Sequence, residues 1–327
     1  MDPVTHGLTG ALLAEAGFRR RWGRQATVAL VGGAMVPDID VVWSWGGGIA
    51  ALELHRGITH SLLGGALLAG GLAAATRGLG PERRWAPLLG MAALGVFGGH
   101  LLLDLATSFG IQLFLPFSRA RPAWDWLFII DPWFSVPLAA ALVGARLSGR
   151  RAVARAGCAY LVAYLVLAAA AHGAALAETR RAAAGAGLPV RGVAALPQPP
   201  SARRWLAVVE TADGYAVGRL DVLRPGSLAL ERVSRGPASA PVARAEGLPA
   251  VQTYLWFARF PVVRVEASGD RQVVEFRDLR FTTRGWRDDP VLARLLPVVA
   301  PRRLDREPFV LRVVLAGAGA APEVALR

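Results

Sequence analysis

Over the first 180 residues the apolar positions run together instead of recurring on one helical face. Residues 86–106 (APLLGMAALGVFGGHLLLDLA) and 156–177 (AGCAYLVAYLVLAAAAHGAALA) are unbroken apolar stretches of 21 and 22 residues. About 20 residues at ~1.5 Å each cross the hydrocarbon core of a bilayer, so both predict transmembrane helices. Residues 61–76 are shorter and carry Gly64, Gly65, Gly70 and Gly71. Small residues at this density let helices approach closely in lipid. Residues 133–147 are a further candidate, with Pro132 and Pro137 near the start, while 4–17 and 26–36 are too short to span and predict half-helices or helices shielded by the others.

Beyond the last apolar run the pattern changes. Residues 185–204 are rich in Pro and Gly and have no period, which predicts a linker or covering loop. Trp205–Thr211 and Tyr215–Leu223 read as strands joined by a hairpin over Ala-Asp-Gly, and Val262–Ala267 and Gln272–Thr283 as a second pair about Gly269-Asp270. Phe309–Leu315 predicts another strand, and 248–259 a short helix. The expected architecture is a membrane all-α helical bundle of about four to six helices over residues 1–180. A linker at 181–204 and a smaller α+β, strand-rich extramembrane domain over 205–327 follow it.

Composition agrees. Of 327 residues 54% are hydrophobic and 19% charged, with mean hydropathy +0.38, whereas soluble domains run near a quarter charged. One cysteine, Cys158, excludes a disulfide scaffold. The net charge is +13 and every basic side chain is Arg. Arg19–Arg21 with Arg24, Arg77 with Arg83 and Arg84, and Arg146 with Arg150, Arg151 and Arg155 fall between the apolar segments. The positive-inside rule puts these clusters in the cytoplasm. Threading the chain accordingly sends the N-terminus, residues 37–60, residues 107–127 and the end of the last helix to the opposite face, the periplasm of a bacterial inner membrane. The C-terminal domain is expected there too. The opening Met-Asp-Pro lacks the basic start of a signal peptide.

The same threading gathers polar residues that are costly beside lipid. A charge at the bilayer centre costs roughly 2.5–3.5 kcal/mol on insertion scales. Asp2, His6, Asp38, Asp40, His55, His60, His100 and Asp104 all fall toward the non-cytoplasmic face. His100 and Asp104 are four apart and share a helical side; a plain His–Asp bond between helices is the bland alternative. Asp38 and Asp40 follow Pro37, which disfavours helix at Val36 and predicts an opened backbone; ordinary turn chemistry competes. His55 and His60 are too far around a helix to share a face, but a loop through Gly57 aims both inward; a polar loop with Thr59 as helix cap competes. Asp2 before Pro3 also reads as an N-cap. His172, alone on an apolar helix, reads as a packing residue.

Imidazoles with carboxylates suit Zn, and also Mn or Fe. The set is too large for one tetrahedral ion and natural for two ions bridged by a carboxylate, so one or two divalent ions are expected. Such sites activate water for hydrolysis of an ester or phosphoester. No HEXXH, Walker loop or GxGxxG is present.

MDPVTHGLTGALLAEAG, VPDID, HRGITHSL, HLLLD and SFGIQLFLPFS with AWDWLFIIDP together resemble the YdjM-like family of bacterial membrane-bound, metal-dependent hydrolases over roughly residues 1–140. The resemblance implies an inner-membrane protein with a metal held by Asp2, His6, Asp38, Asp40, His55, His60, His100 and Asp104. It implies no substrate.

Three further residues are expected to serve catalysis. Arg56, inside HRGITH, is placed to hold a phosphate or carboxylate, with a headgroup-facing Arg as alternative. Asp125 and Asp131 flank a Trp-rich stretch that reads first as an interfacial aromatic belt; in a catalytic reading they hold histidines as outer partners of the metal. The expected partners are the bilayer and a lipid or lipid-linked substrate. The 22 Arg of residues 181–327 are interspersed with 14 acids and no nucleic-acid-binding signature, so nucleic acid is not expected. A metal transporter, or a non-catalytic protein with a structural metal, remains the alternative.

Overall fold

The computed structural model describes residues 1–44, 48–199, 202–226, 228–269, 271–283, 307–315 and 321–326. The N-terminal half is helical. Helix α1 (Pro3–Leu13) begins with Asp2 as N-cap, its carboxylate accepting from Thr5 N at 3.0 Å, and Pro3 takes the first helical position, where no backbone donor is lost. The chain winds through a π-helical turn, Ala14–Phe18, into α2 (Arg19–Met35). Gly17 (φ 154°) and Gly23 (φ 54°) supply the backbone angles that let it fold back. The two expected half-helices are therefore one helical hairpin. Its halves touch: a Cβ on Gly10 would lie 2.6 Å from the Leu30 carbonyl.

After α2 come a 3₁₀ turn, Val36–Asp40, and two short helices, α3 (Val41–Ser44) and α4 (Ile49–Leu54). Pro37 thus tightens the backbone into a 3₁₀ turn and does not open it. Helix α5 (Leu62–Thr76) is capped by Ser61, whose Oγ accepts from Gly64 N at 2.9 Å, and not by Thr59, the cap of the competing reading. Helix α6 (Trp85–Ala93) continues through a π-helical stretch, Leu94–Leu101, into α7 (Leu102–Leu105). Helices α8 (Pro132–Ser148) and α9 (Arg151–Gly185) complete the bundle.

Among the described residues four helical runs are long and apolar enough to cross a membrane: Pro3–Trp43, Leu62–Leu79, Trp85–Leu105 and Arg151–Gly185. The first of these is the folded hairpin. The Arg-rich turns meet at one end of the bundle. There Arg155 Nε donates to the Ala16 carbonyl at 2.9 Å, Arg146 pairs with Glu15 at 3.3 Å, and Gln25 bonds the carbonyls of Thr76 and Glu82. The start of α1, the Val36–Asp40 turn, residues 55–60, the end of α7 and the start of α8 lie at the other. With 35 residues, α9 is ~52 Å long against a hydrocarbon core of ~30 Å, so its last turns project beyond the bundle.

Those turns carry the strand-rich half. The expected linker at 181–204 is instead structured: α9 runs to Gly185, and Gly192–Gln198 form strand β1. Ala195 of β1 shares an apolar cluster with Ala168 and Ala175 of α9 and with Trp205, so this Pro- and Gly-rich stretch is held by packing its sequence pattern does not display. Pro197 is tolerated because β1 is an edge strand. Strands β2 (Arg204–Glu210), β3 (Gly214–Asp221) and β4 (Glu231–Ser234) follow in an antiparallel meander, β1-β2-β3-β4.

Helices α10 (Ala240–Glu246) and α11 (Pro249–Phe257) lead into a second antiparallel sheet. It comprises β5 (Pro261–Ser268), β6 (Arg271–Asp278), β7 (Leu311–Leu315) and β8 (Glu323–Leu326). The Asp270 half of the expected second turn lies outside the described residues. This domain docks on the bundle. Arg280 donates to the carbonyls of Ser108 (3.1 Å) and Phe109 (3.4 Å), Arg259 to both oxygens of Asp125 at 2.9 Å, and Leu52 and Phe109 join the core formed by Tyr254, Phe257 and Phe276.

Candidate metal centre

Three helical segments are drawn together by small residues and by carbonyls that accept from histidine. In α2 and in the α6–α7 helix, Gly33 and Gly95 leave no room for a side chain and Gly99 leaves little: a Cβ on Gly95 would sit 2.6 Å from the Leu30 carbonyl, one on Gly33 2.7 Å from that of Ala92 and one on Gly99 3.1 Å from Ala34 Cβ. Close approach lets His100 Nδ1 donate to the Ala34 carbonyl at 2.6 Å. His6 Nδ1 donates to the Gly99 carbonyl at 3.0 Å and its ring stacks on His100 with centroids 3.8 Å apart. His60 Nδ1 lies 3.2 Å from Asp40 Oδ2.

His60 Nδ1 also bonds Thr59 Oγ1 at 3.0 Å; with Nδ1 of His60 and His100 engaged outward, their Nε2 atoms face in and can serve as ligands. His60 Nε2 and His100 Nε2 are 3.0 Å apart. His60 Nε2 lies 3.5 Å from Asp38 Oδ1 and 3.2 Å from Asp104 Oδ2, and His100 Nε2 lies 3.5 Å from each of the same two oxygens. Four ligand atoms at ~2.0–2.1 Å around a tetrahedral ion are ~3.3–3.4 Å from one another, and these five separations form five of its six edges. Asp104 Oδ2 is buried with no hydrogen-bond partner. Two facing lone pairs and an orphaned carboxylate oxygen are what a cation relieves, so the residues fit a divalent metal ion.

A second group, Asp38, Asp40 and His55, also has ligand atoms within 4.8 Å of one another and shares Asp38 with the first. Here Asp40 is already well used. Its Oδ1 takes His55 Nδ1 at 3.0 Å, and its Oδ2 takes Arg56 N at 2.7 Å and Thr59 Oγ1 at 3.2 Å. Asp40 thus orients His55 directly and His60 through Thr59. His60, His100 and Asp104 are fully buried; Asp38 (18% side-chain exposure) and His55 (29%) form the open edge.

The remaining expected site residues are placed elsewhere. Asp2 caps its own helix and binds Thr5 Oγ1 at 2.6 Å. His6 Nε2 sits 3.2 Å from the other oxygen of Asp104, Oδ1, which also accepts from the Met1 α-amino group and pairs with Arg56 Nη2 at 3.0 Å. Arg56 (φ 57°) is turned inward, donates to Thr107 Oγ1 at 3.0 Å, and lies over the Phe109 ring. Its charge is spent on Asp104 inside the fold, so it is not free to grip a substrate. Asp125 binds Arg259, and Asp131 accepts from Trp133 N, Phe134 N and, at 2.7 Å, the Tyr164 hydroxyl. Both acids join structural elements instead of orienting a histidine. His172 packs against Trp205, with centroids 5.4 Å apart. Sequence reasoning missed the orienting carbonyls of Ala34 and Gly99, which no side-chain pattern reports.

Burial pushes the Asp131 carboxyl up to about 6. The unfolded chain releases that proton near 3.9, so the folded state binds more protons between those values and loses stability as pH rises from about 4 through 6. The Asp131→Asn protein is expected to lack this component. The difference in melting temperature between it and the parent should therefore change across that pH window; a constant difference contradicts the assignment.

A family model described as YdjM inner membrane protein matches residues 1–175. No curated protein and no solved structure matches the chain.

Proposed function

Because the chain belongs to the YdjM inner membrane protein family, we propose that it is a membrane-bound, metal-dependent hydrolase of an ester or phosphoester. It acts at the non-cytoplasmic face, with the strand-rich domain in the periplasm. The observation that carries the reading is the inward convergence of two bare imidazole nitrogens and two carboxylate oxygens at the spacing of one coordination shell. His60, His100, Asp104 and Asp38 would hold the ion, and when bound it supplies Lewis acidity and lowers the pKa of water.

The chain's own groups divide the remaining work. Asp40 orients His55 directly, by accepting from its Nδ1, and His60 through Thr59, whose hydroxyl bonds His60 Nδ1 at 3.0 Å and donates to Asp40 Oδ2. His55, the most exposed of the histidines in the cluster, is the group that moves a proton to or from substrate at the open edge. Arg56 and the Met1 amine hold the Oδ1 oxygen of Asp104, leaving Oδ2 for the ion. Near-complete burial of three of the four ligands supports a second reading, a structural ion that ties the helices together. The ligands cluster at one end of the bundle, which does not favour a transport path.

Elemental analysis of detergent-purified protein, followed by a screen of carboxyl esters and phosphoesters, tests this. The expected result is one or two divalent ions per chain and turnover that a chelator removes and the ion restores. Metal-loaded protein that cleaves nothing, yet melts lower after chelation, replaces the hydrolase with the structural reading.

A further inference from the structure

The apolar surface beside the cluster is continuous with a groove. A cavity of about 260 Å³ is lined by Asp40, Trp43, Leu54, Ile58, Leu115 and Arg119, among others. One wall is the back of the metal cluster, since Asp40 touches both His55 and His60. At another point stands Arg119, which bonds Glu53 at 2.6 Å and lies 4.5 Å over the ring of Trp256 from the strand-rich domain. Between them Trp43, Leu54 and Ile58 are 59%, 45% and 48% exposed, and Ile39, Val42 and Leu62 extend this apolar surface. In an inner-membrane protein such a surface meets acyl chains.

We propose that this groove receives a membrane amphiphile carrying a phosphate head, and that Arg119 is the residue that selects the anion. The proposal rests on the hydrolase reading and names its substrate class. A groove with charge at its ends and a greasy, open side matches a molecule with a polar head and a chain. Its volume is below the ~300–1,000 Å³ of pockets for drug-sized ligands, enough for one head and the start of one chain. The planar guanidinium of Arg119 suits a phosphate's paired oxygens. Its exposed bond to Glu53 is of the weak, exchangeable kind. Arg56 and a divalent ion together offset the carboxylates of Asp38, Asp40 and Asp104, so the cluster does not repel the incoming anion; Glu53, the other acid of the lining, is the partner the phosphate displaces from Arg119.

The test is binding of dodecylphosphonate, which is not hydrolysed, to the full-length protein in neutral maltoside micelles, by calorimetry. Dodecylphosphonate is expected to bind, and methylphosphonate and dodecyltrimethylammonium to bind far more weakly. Arg119→Gln and Trp43→Ala should each weaken binding by about tenfold or more, with Arg119→Lys recovering part of the loss. Both side chains are exposed, and an unchanged melting temperature confirms folding. Equal binding by parent and variants, equal binding of methylphosphonate, or preference for the ammonium amphiphile overturns the proposal, even if the protein hydrolyses esters. Selective phosphonate binding by a protein that cleaves nothing upholds the groove and removes the hydrolase reading.

Discussion

Alanine at His60, His100 or Asp104 is expected to reduce bound divalent metal to background and to abolish turnover. Each substitution removes a vertex shared by several edges of the ligand tetrahedron: Asp104 Oδ2 alone faces both Nε2 atoms, at 3.2 and 3.5 Å. Asp104 has a further expected cost. Its Oδ1 neutralises Arg56, which is 2% exposed, and the Met1 amine. Removing one partner of a buried ion pair costs ~3–5 kcal/mol because the other charge is left uncompensated. Asp104→Ala should therefore lower the melting temperature even of metal-stripped protein, whereas His100→Ala should lower it mainly by losing the ion. Asp40→Asn should behave differently again. It leaves every ligand in place but weakens the hold on His55 and on Thr59, which orients His60, and loss of such an outer partner typically weakens metal affinity 10–100-fold. Elemental analysis and melting curves of these variants separate the three roles. Full metal stoichiometry in the combined His60, His100 and Asp104 variant would dismiss the site.

The long apolar runs of 86–106 and 156–177 were legible because a membrane span is written in one contiguous stretch, and the Arg turns indicated which ends would meet. The i, i+4 spacing of His100 and Asp104 likewise showed a shared face directly. Other placements depend on partners distant in sequence. Asp2 before Pro3 was legible as the N-cap it forms, but nothing local tells that Asp38 reaches His60 and His100. The inward turn of Arg56 depends on a positive φ in a Gly-containing loop. Strand β1 escaped because its residues are small and Pro-interrupted; it is a strand through its pairing with β2 and its packing on α9. The short elements β4, α10 and β8 fall below the length at which a period can be read.

The same dependence on distant partners makes a residue with no ligand atom decisive. Gly95→Ala is expected to weaken metal binding although it changes no polar group. The added Cβ would lie 2.6 Å from the Leu30 carbonyl, 3.0 Å from Gly33 Cα and 3.1 Å from the Ala29 carbonyl. All three are backbone atoms of α2, so no side chain can swing aside and the helices must separate. Overpacking of this kind typically costs ~1–3 kcal/mol. Here the displacement also acts on the site. Helix α2 supplies the Ala34 carbonyl that orients His100 at 2.6 Å and leads directly into Asp38, while the helix bearing Gly95 continues to His100 and Asp104. Moving one against the other stretches the edges that join Asp38 to the rest of the tetrahedron. Gly71→Ala is the matched control, because nothing lies within 4 Å of its added Cβ and alanine is the better helix former. Metal titration and melting of the two proteins should diverge, Gly95→Ala losing both affinity and stability while Gly71→Ala keeps both. Parallel behaviour of the two would mean that the spacing between α2 and the α6–α7 helix does not set the geometry of the ligands.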